Sequence, residues 1–207
     1  MRIIFFQLVI LFLTLSRPTF AQAPTKLSYF GIRAGFLQTA TSITRSQLGI
    51  DYGAKLVGVA GRNSFYGGFF YQRHSRKLLA YRLEVNYQQK GLRKEDEEGN
   101  LLYNQPFHYI GATPFIGITP LAGLSLFVGP EANLRIASAS RIYEKPTTIE
   151  MGLSGRVSYR YKWIGLEVSY FNALNYFNTF EYNPIHTFDL KNRTWQAGLF
   201  FALKGQK

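Results

Sequence analysis

A period of two, repeated along the chain, constrains this sequence more than any other feature. In Tyr81–Lys90, YRLEVNYQQK, the residues Tyr81, Leu83, Val85 and Tyr87 share one row, while Arg82, Glu84, Asn86 and Gln88 share the other. Side chains of a β-strand project alternately to opposite faces, so this is a strand with one apolar and one polar face. The pattern returns in residues 124–137, with Leu124, Leu126, Val128, Pro130, Ala132, Leu134 and Ile136 opposing Ser125, Phe127, Gly129, Glu131, Asn133 and Arg135. It returns again in residues 149–162, where Ile149, Met151, Leu153, Val157, Tyr159 and Tyr161 oppose Glu150, Gly152, Ser154, Arg156, Ser158, Arg160 and Lys162. Near the C-terminus Trp195, Ala197, Leu199, Phe201 and Leu203 oppose Thr194, Gln196, Gly198 and Lys204, with Phe200 and Ala202 blurring the pattern.

Four weaker segments extend the set: residues 27–37, 64–73, 107–116 and 165–171. In residues 64–73 aromatics and glycines occupy both rows, so its faces stay unassigned. Eight strands result, and no segment has the period of a long helix. Their connections alternate in length. Short ones lie at His74–Lys77, around Thr119 and Pro120, and at Trp163; long ones run from Gln38 to about Asn63, Gly91 to Gln105, Ser138 to Thr148 and Asn172 to Asn192. Strict alternation places every long loop at one end of an up-and-down barrel, the asymmetry of outer-membrane barrels.

Alternation alone does not say which row is wet. A soluble lipocalin-like barrel would turn the apolar row toward a ligand cavity. Three features favour the opposite arrangement. The polar rows carry small residues, among them Gly129, Gly152, Ser154, Ser158 and Gly198, which a crowded eight-stranded interior requires. The apolar rows tend to end in rings, including Tyr81, Tyr87, Tyr159, Tyr161, Tyr170 and Trp195, as interfacial girdles do. Strand lengths near about ten residues suit a tilted membrane crossing.

The N-terminus, MRIIFFQLVILFLTLSRPTFAQA, reads as a secretory signal peptide over residues 1–21, cut after Ala21. Residues 22–207 then form one barrel domain. No cysteine is present, so an exported chain must rely on burial and backbone pairing rather than disulfides. The formal net charge of +12 includes Arg2 and Arg17, leaving +10 after cleavage. Export argues against nucleic acid and for anionic headgroups as the partner of that charge. The mature chain has no apolar run long enough for a spanning helix, so any membrane crossing requires a closed barrel.

With these strands assembled, the sequence resembles the outer-membrane β-barrel family of Bacteroidetes often called PorT-like. The similarity rests on GIRAGF (Gly31–Phe36), LEVNYQQKG (Leu83–Gly91), GATPFIG (Gly111–Gly117) and LFVGPEANL (Leu126–Leu134), and spans about Leu27 to Leu203. It implies a location and a fold, a barrel in the cell outer membrane; most members have no assigned activity, and the chain is read as a structural or interaction component without enzymatic activity or cofactor. Named members serve in type IX secretion or gliding, and an accessory of protein secretion or surface assembly is the finer expectation for this chain.

If the polar rows face inward, Arg33, Arg82, Glu84, Glu131, Arg135, Arg156, Arg160 and Glu167 share the lumen as an ion network, because isolated buried charges are expensive. His74, His108 and His186 lie far apart and show no metal-ligand or nucleophile–base spacing. A lipid-directed enzyme at the barrel rim, using His108, His186 and Glu181, is the alternative from another class. The run LRKEDEEGN (Leu92–Asn100) reads as a solvated loop tip. The final loop is dense in rings, and Tyr176, Phe177, Phe180, Tyr182 and His186 form a candidate interaction surface or a cap over the barrel mouth. Loop basics such as Arg45, Arg62, Arg93, Lys94, Arg141 and Lys191 suit phosphates of surface lipid. Expected partners are therefore outer-membrane lipid and lipopolysaccharide, the barrel-assembly machinery and other envelope proteins.

Overall fold

A computed structural model of the chain describes residues 28–43, 60–75, 78–95, 101–138, 144–183 and 186–203. The signal peptide, Arg45, Arg141 and the tip of the charge run lie outside these residues. Among the described residues ten strands follow one another: β1 (Ser28–Ile43), β2 (Ala60–His74), β3 (Leu79–Glu95), β4 (Leu101–Leu121), β5 (Leu124–Ser138), β6 (Glu144–Pro146), β7 (Ile149–Tyr161), β8 (Ile164–Ala173), β9 (Asn178–Asn183) and β10 (His186–Leu203).

Eight of them form a closed antiparallel barrel in the order β1-β2-β3-β4-β5-β7-β8-β10, with β10 pairing back onto β1. The closing ladder runs from Phe30↔Leu203 to Ile43↔Leu190. Closure leaves no open edge in the wall, which a bilayer demands of any sheet. Beyond β8, the strand β9 takes over as neighbour of β10 at Leu190↔Asn178, and β6 pairs with β9. These two short strands prolong one side of the wall.

The strands reach further than the hydrophobic alternation suggests. Pairing of β3 with β4 continues from Lys90↔Phe107 to Glu95↔Leu101, so most of Gly91–Gln105 is a protruding hairpin and not a loop. The same holds for Asn172–Asn192, which contains β9 and the start of β10. Away from a bilayer both faces of a strand can be polar, and the period of two loses its hydrophobic label.

Outward and inward rows separate cleanly. Leu83, Val85, Val128, Leu153 and Leu199 are exposed, whereas Arg82, Glu84, Asn86 and Gln88 are buried. The undecided strand β2 resolves as well: Phe65, Phe69 and Tyr71 face out, and Tyr66, Phe70 and Gln72 face in. Its inward rings need room, and small residues on the nearby wall strands supply it. A Cβ on Gly198 would lie 2.5 Å from the Tyr66 hydroxyl.

One ladder lapses. Between Ala112↔Ala132 and Ile116↔Val128, β4 and β5 show no pairing. In the continued register Pro114 faces Pro130, and neither has an N–H to donate. Both prolines sit on the exposed outer face.

Candidate functional site

The lumen holds a set of buried charges built from five strands. Arg33 on β1 donates through Nε to Glu167 Oε1 at 2.5 Å and through Nη1 to Glu84 Oε2 at 2.5 Å. Arg82, on the same inward row of β3 as Glu84, pairs with Glu84 at 2.6 Å and with Glu167 at 3.0 Å. Arg156 on β7 pairs with Glu84 and approaches Glu167 at 3.8 Å. Two carboxylates thus bind three guanidiniums, and neutral groups complete the shell. Arg33 also donates to Asn86 Oδ1 and Gln196 Oε1, and the Tyr66 hydroxyl donates to Glu167 at 3.0 Å.

A second cluster lies toward the protruding hairpins. Lys90 Nζ pairs with Glu150 Oε2 at 2.5 Å, Asn192 donates to Glu150 Oε1 at 2.6 Å, and Gln88 and Asn133 donate to Glu131. The first cluster carries an excess of one positive charge and the second an excess of one negative. Among the described residues, four buried cations (Arg33, Arg82, Lys90, Arg156) face four buried carboxylates (Glu84, Glu131, Glu150, Glu167). These buried charges cancel, which limits the cost of removing them from water.

Rings sandwich this polar belt. The Arg82 guanidinium lies 4.0 Å from the Phe70 ring centre, Arg156 lies 4.9 Å from that of Phe115, and the Lys90 ammonium is 4.2 Å from that of Phe171. At the short-turn end Tyr29, Phe70 and Phe200 pack together, beside Ala80, Phe115 and Phe127. At the hairpin end Leu92, Phe107, Tyr109, Phe177 and Leu190 form a third cluster across the lumen. Phe177 is held there by its own backbone: Arg135 Nη2 donates to its carbonyl at 2.5 Å, and its N–H donates to the Leu190 carbonyl at 2.9 Å.

The sequence-based candidates therefore divide. Arg33, Arg82, Glu84, Arg156 and Glu167 meet in one network as expected. Glu131 joins the neighbouring cluster through amide donors. Arg135 and Arg160 do not reach the network: Arg135 binds the Tyr109 hydroxyl at the hairpin end, and Arg160 lies over the Tyr29 ring, 4.2 Å from its centre, at the other. Row membership gives a face, not a height along the barrel axis. Lys90 and Glu150 are missing from the expected network because each stands at the edge of its alternating segment, yet both are fully buried.

The aromatic final loop is corrected in part. Phe177 is a buried plug, not a surface contact, and Tyr176 is half-buried with Lys191 Nζ 4.9 Å from its ring centre. The side chains of Phe180, Tyr182 and His186 lie outside the described residues. His108 accepts or donates a 2.6 Å hydrogen bond with the Tyr87 hydroxyl, and the buried His74 meets Gln72 at 3.1 Å. Among the described residues no three His, Cys, Asp or Glu side chains are grouped to hold a metal ion.

No protein-family model matches the sequence. No curated protein matches it either. Solved structures do match in fold. The outer membrane protein OprG from Pseudomonas aeruginosa aligns with a TM-score of 0.51 at 10% identity, over 87% of this chain and 98% of its own. The outer membrane protein AlkL, solved by solid-state NMR in DMPC lipid bilayers, aligns with a TM-score of 0.50 at 12% identity, over 90% of this chain and 95% of its own. The chain thus shares its fold, an eight-stranded closed antiparallel barrel, with small outer-membrane barrels.

Proposed function

We propose that this protein is an integral outer-membrane barrel that acts by contact, through its protruding hairpin end, and neither conducts solute nor catalyses a reaction. The observation that carries this reading is the inversion of the barrel: an exposed apolar outer wall around an interior of matched, buried ions. A soluble ligand-binding barrel needs the reverse arrangement. Exposed Phe36, Phe69, Val128 and Leu166 would be a liability in water and a requirement in lipid.

The paired charges and the aromatic layers at both ends favour a filled lumen over a pore, as the narrow interior of eight strands already suggests. What projects beyond the apolar band is instead the extension of β1, β3, β4, β9 and β10. A wall of that length offers a contact surface to an envelope partner. The PorT-like sequence motifs support a finer assignment, an accessory of protein secretion or surface assembly in a Bacteroidetes outer membrane.

The test is gel mobility of the protein from separated cell fractions, boiled against unboiled, with planar-bilayer recordings of the purified barrel. Recovery with the outer membrane, a faster unboiled band and electrically silent bilayers are expected. Recovery in the soluble fraction would overturn the membrane reading, and stepwise conductance would overturn the closed lumen.

A further inference from the structure

Charge is distributed unevenly between the two ends of the barrel. The buried ions of the interior cancel. Residues 38–64, 91–106, 135–148 and 172–193, the long connections of the sequence with their flanks, hold ten Lys or Arg against eight Asp or Glu. Residues 72–81, 117–126 and 158–166, the three short connections of the sequence with their flanks, hold five basic residues and not one acidic residue. The end with the least chain carries the most unbalanced charge.

Three of those five are described, and two of them stand beside outward rings. Arg73 is exposed on β2, next along the outer row from Tyr71, which is 46% exposed. Lys162 is exposed in the β7–β8 turn, its ammonium 5.4 Å from the ring centre of Tyr161. The adjoining Trp163 is 60% exposed and stacks on Phe201 at 5.7 Å. Arg160 covers Tyr29 at the lumen mouth. Two of the three described cations, Arg73 and Lys162, therefore stand at the outer edge of the apolar band beside aromatics, and Arg160 stands at the lumen mouth.

We propose that this short-turn rim selects anionic phospholipid headgroups in the leaflet that surrounds it. Rings at the edge of an apolar band sit at headgroup depth, and basic side chains there attract anionic lipid. The proposal rests on the membrane reading of the wall and adds a ligand class and a position to it.

The two tryptophans allow a direct test, because Trp163 lies at the short-turn rim while Trp195, against Tyr170 at 4.7 Å, marks the opposite edge of the band. Trp195→Phe and Trp163→Phe variants each leave one reporter. The barrels are reconstituted in phosphatidylcholine vesicles with a fixed fraction of brominated phosphatidylglycerol or brominated phosphatidylcholine, and quenching is compared. Trp163 is expected to be quenched more by the anionic lipid, with a local enrichment of roughly fivefold per engaged basic residue. That excess should shrink in high salt and fall several-fold in Arg73→Gln/Lys162→Asn, asparagine being tolerant of the positive φ at position 162. Trp195 is expected to show no preference. Equal preference at both reporters, or a preference at Trp163 that survives the double substitution, would overturn the rim site while leaving the barrel in the membrane. Absence of quenching at both reporters by either lipid would overturn the membrane reading itself.

Discussion

Glu84 accepts contacts from Arg33, Arg82 and Arg156 at once. Replacing it by Gln leaves three buried guanidiniums facing Glu167 alone. Removing one partner from a buried ionic cluster costs about 3–5 kcal/mol, and this loss is expected in urea-unfolding curves of Glu84→Gln reconstituted in vesicles. Glu131 differs, because among the described residues its donors are the neutral amides of Gln88 and Asn133. Glu131→Gln should cost about 1 kcal/mol, the scale of one hydrogen bond. Equal losses for the two variants would mean that the arginine cluster does not act as a unit. The period of two by itself marks Arg33, Arg82, Glu84, Arg156 and Glu167 as inward residues. It cannot rank them by height, which is why Arg135 and Arg160 are assigned to a network they never touch.

Strand ends are legible only while one face meets lipid. Past Lys90 the chain remains paired to β4, yet LRKEDEEGN has lost the apolar row that marks a strand. Burial there runs inward instead: Leu92 enters the hairpin-end cluster. The ladder between β4 and β5 poses the opposite problem, since its prolines are plain in the sequence but their opposition follows only from the register. Pro130→Ala restores one N–H opposite Pro114. The expected outcome is a gain of about 0.5–1.5 kcal/mol, the net worth of one added hydrogen bond, with slower amide exchange in Thr113–Ile116. Unchanged exchange would show that the wall accommodates the gap by another route.

Taken whole, the barrel is a filled cylinder whose hairpin end is stoppered by one ring from outside the eight wall strands. Phe177→Ala removes that ring from contact with Phe107, 5.7 Å away between centres. A loss of about 3–5 kcal/mol is expected, as for other buried Phe→Ala substitutions, again by urea unfolding in vesicles. The bilayer should stay electrically silent, because the ion belt still obstructs the lumen beneath the missing ring. Channel openings in this variant would identify Phe177 as the sole barrier. The eight-strand count and the inside-out arrangement follow from alternation and loop lengths. The stopper does not, because a Phe in an aromatic loop looks the same whether it points at a partner or into the chain's own mouth.

The ladder that closes the cylinder has a consequence in time. It joins Phe30 to Leu203 and continues to Ile43 and Leu190, so the segments it brings together lie farthest apart along the chain of any wall pair. Every other wall ladder links segments that are closer in sequence and can zip locally, whereas this one must wait for all of them. Insertion should therefore be slow and concerted, with the wall either open along β1 and β10 or fully sealed. A protein that seals last along its longest separation is committed by that single event, which ties its two chain ends together in one stroke.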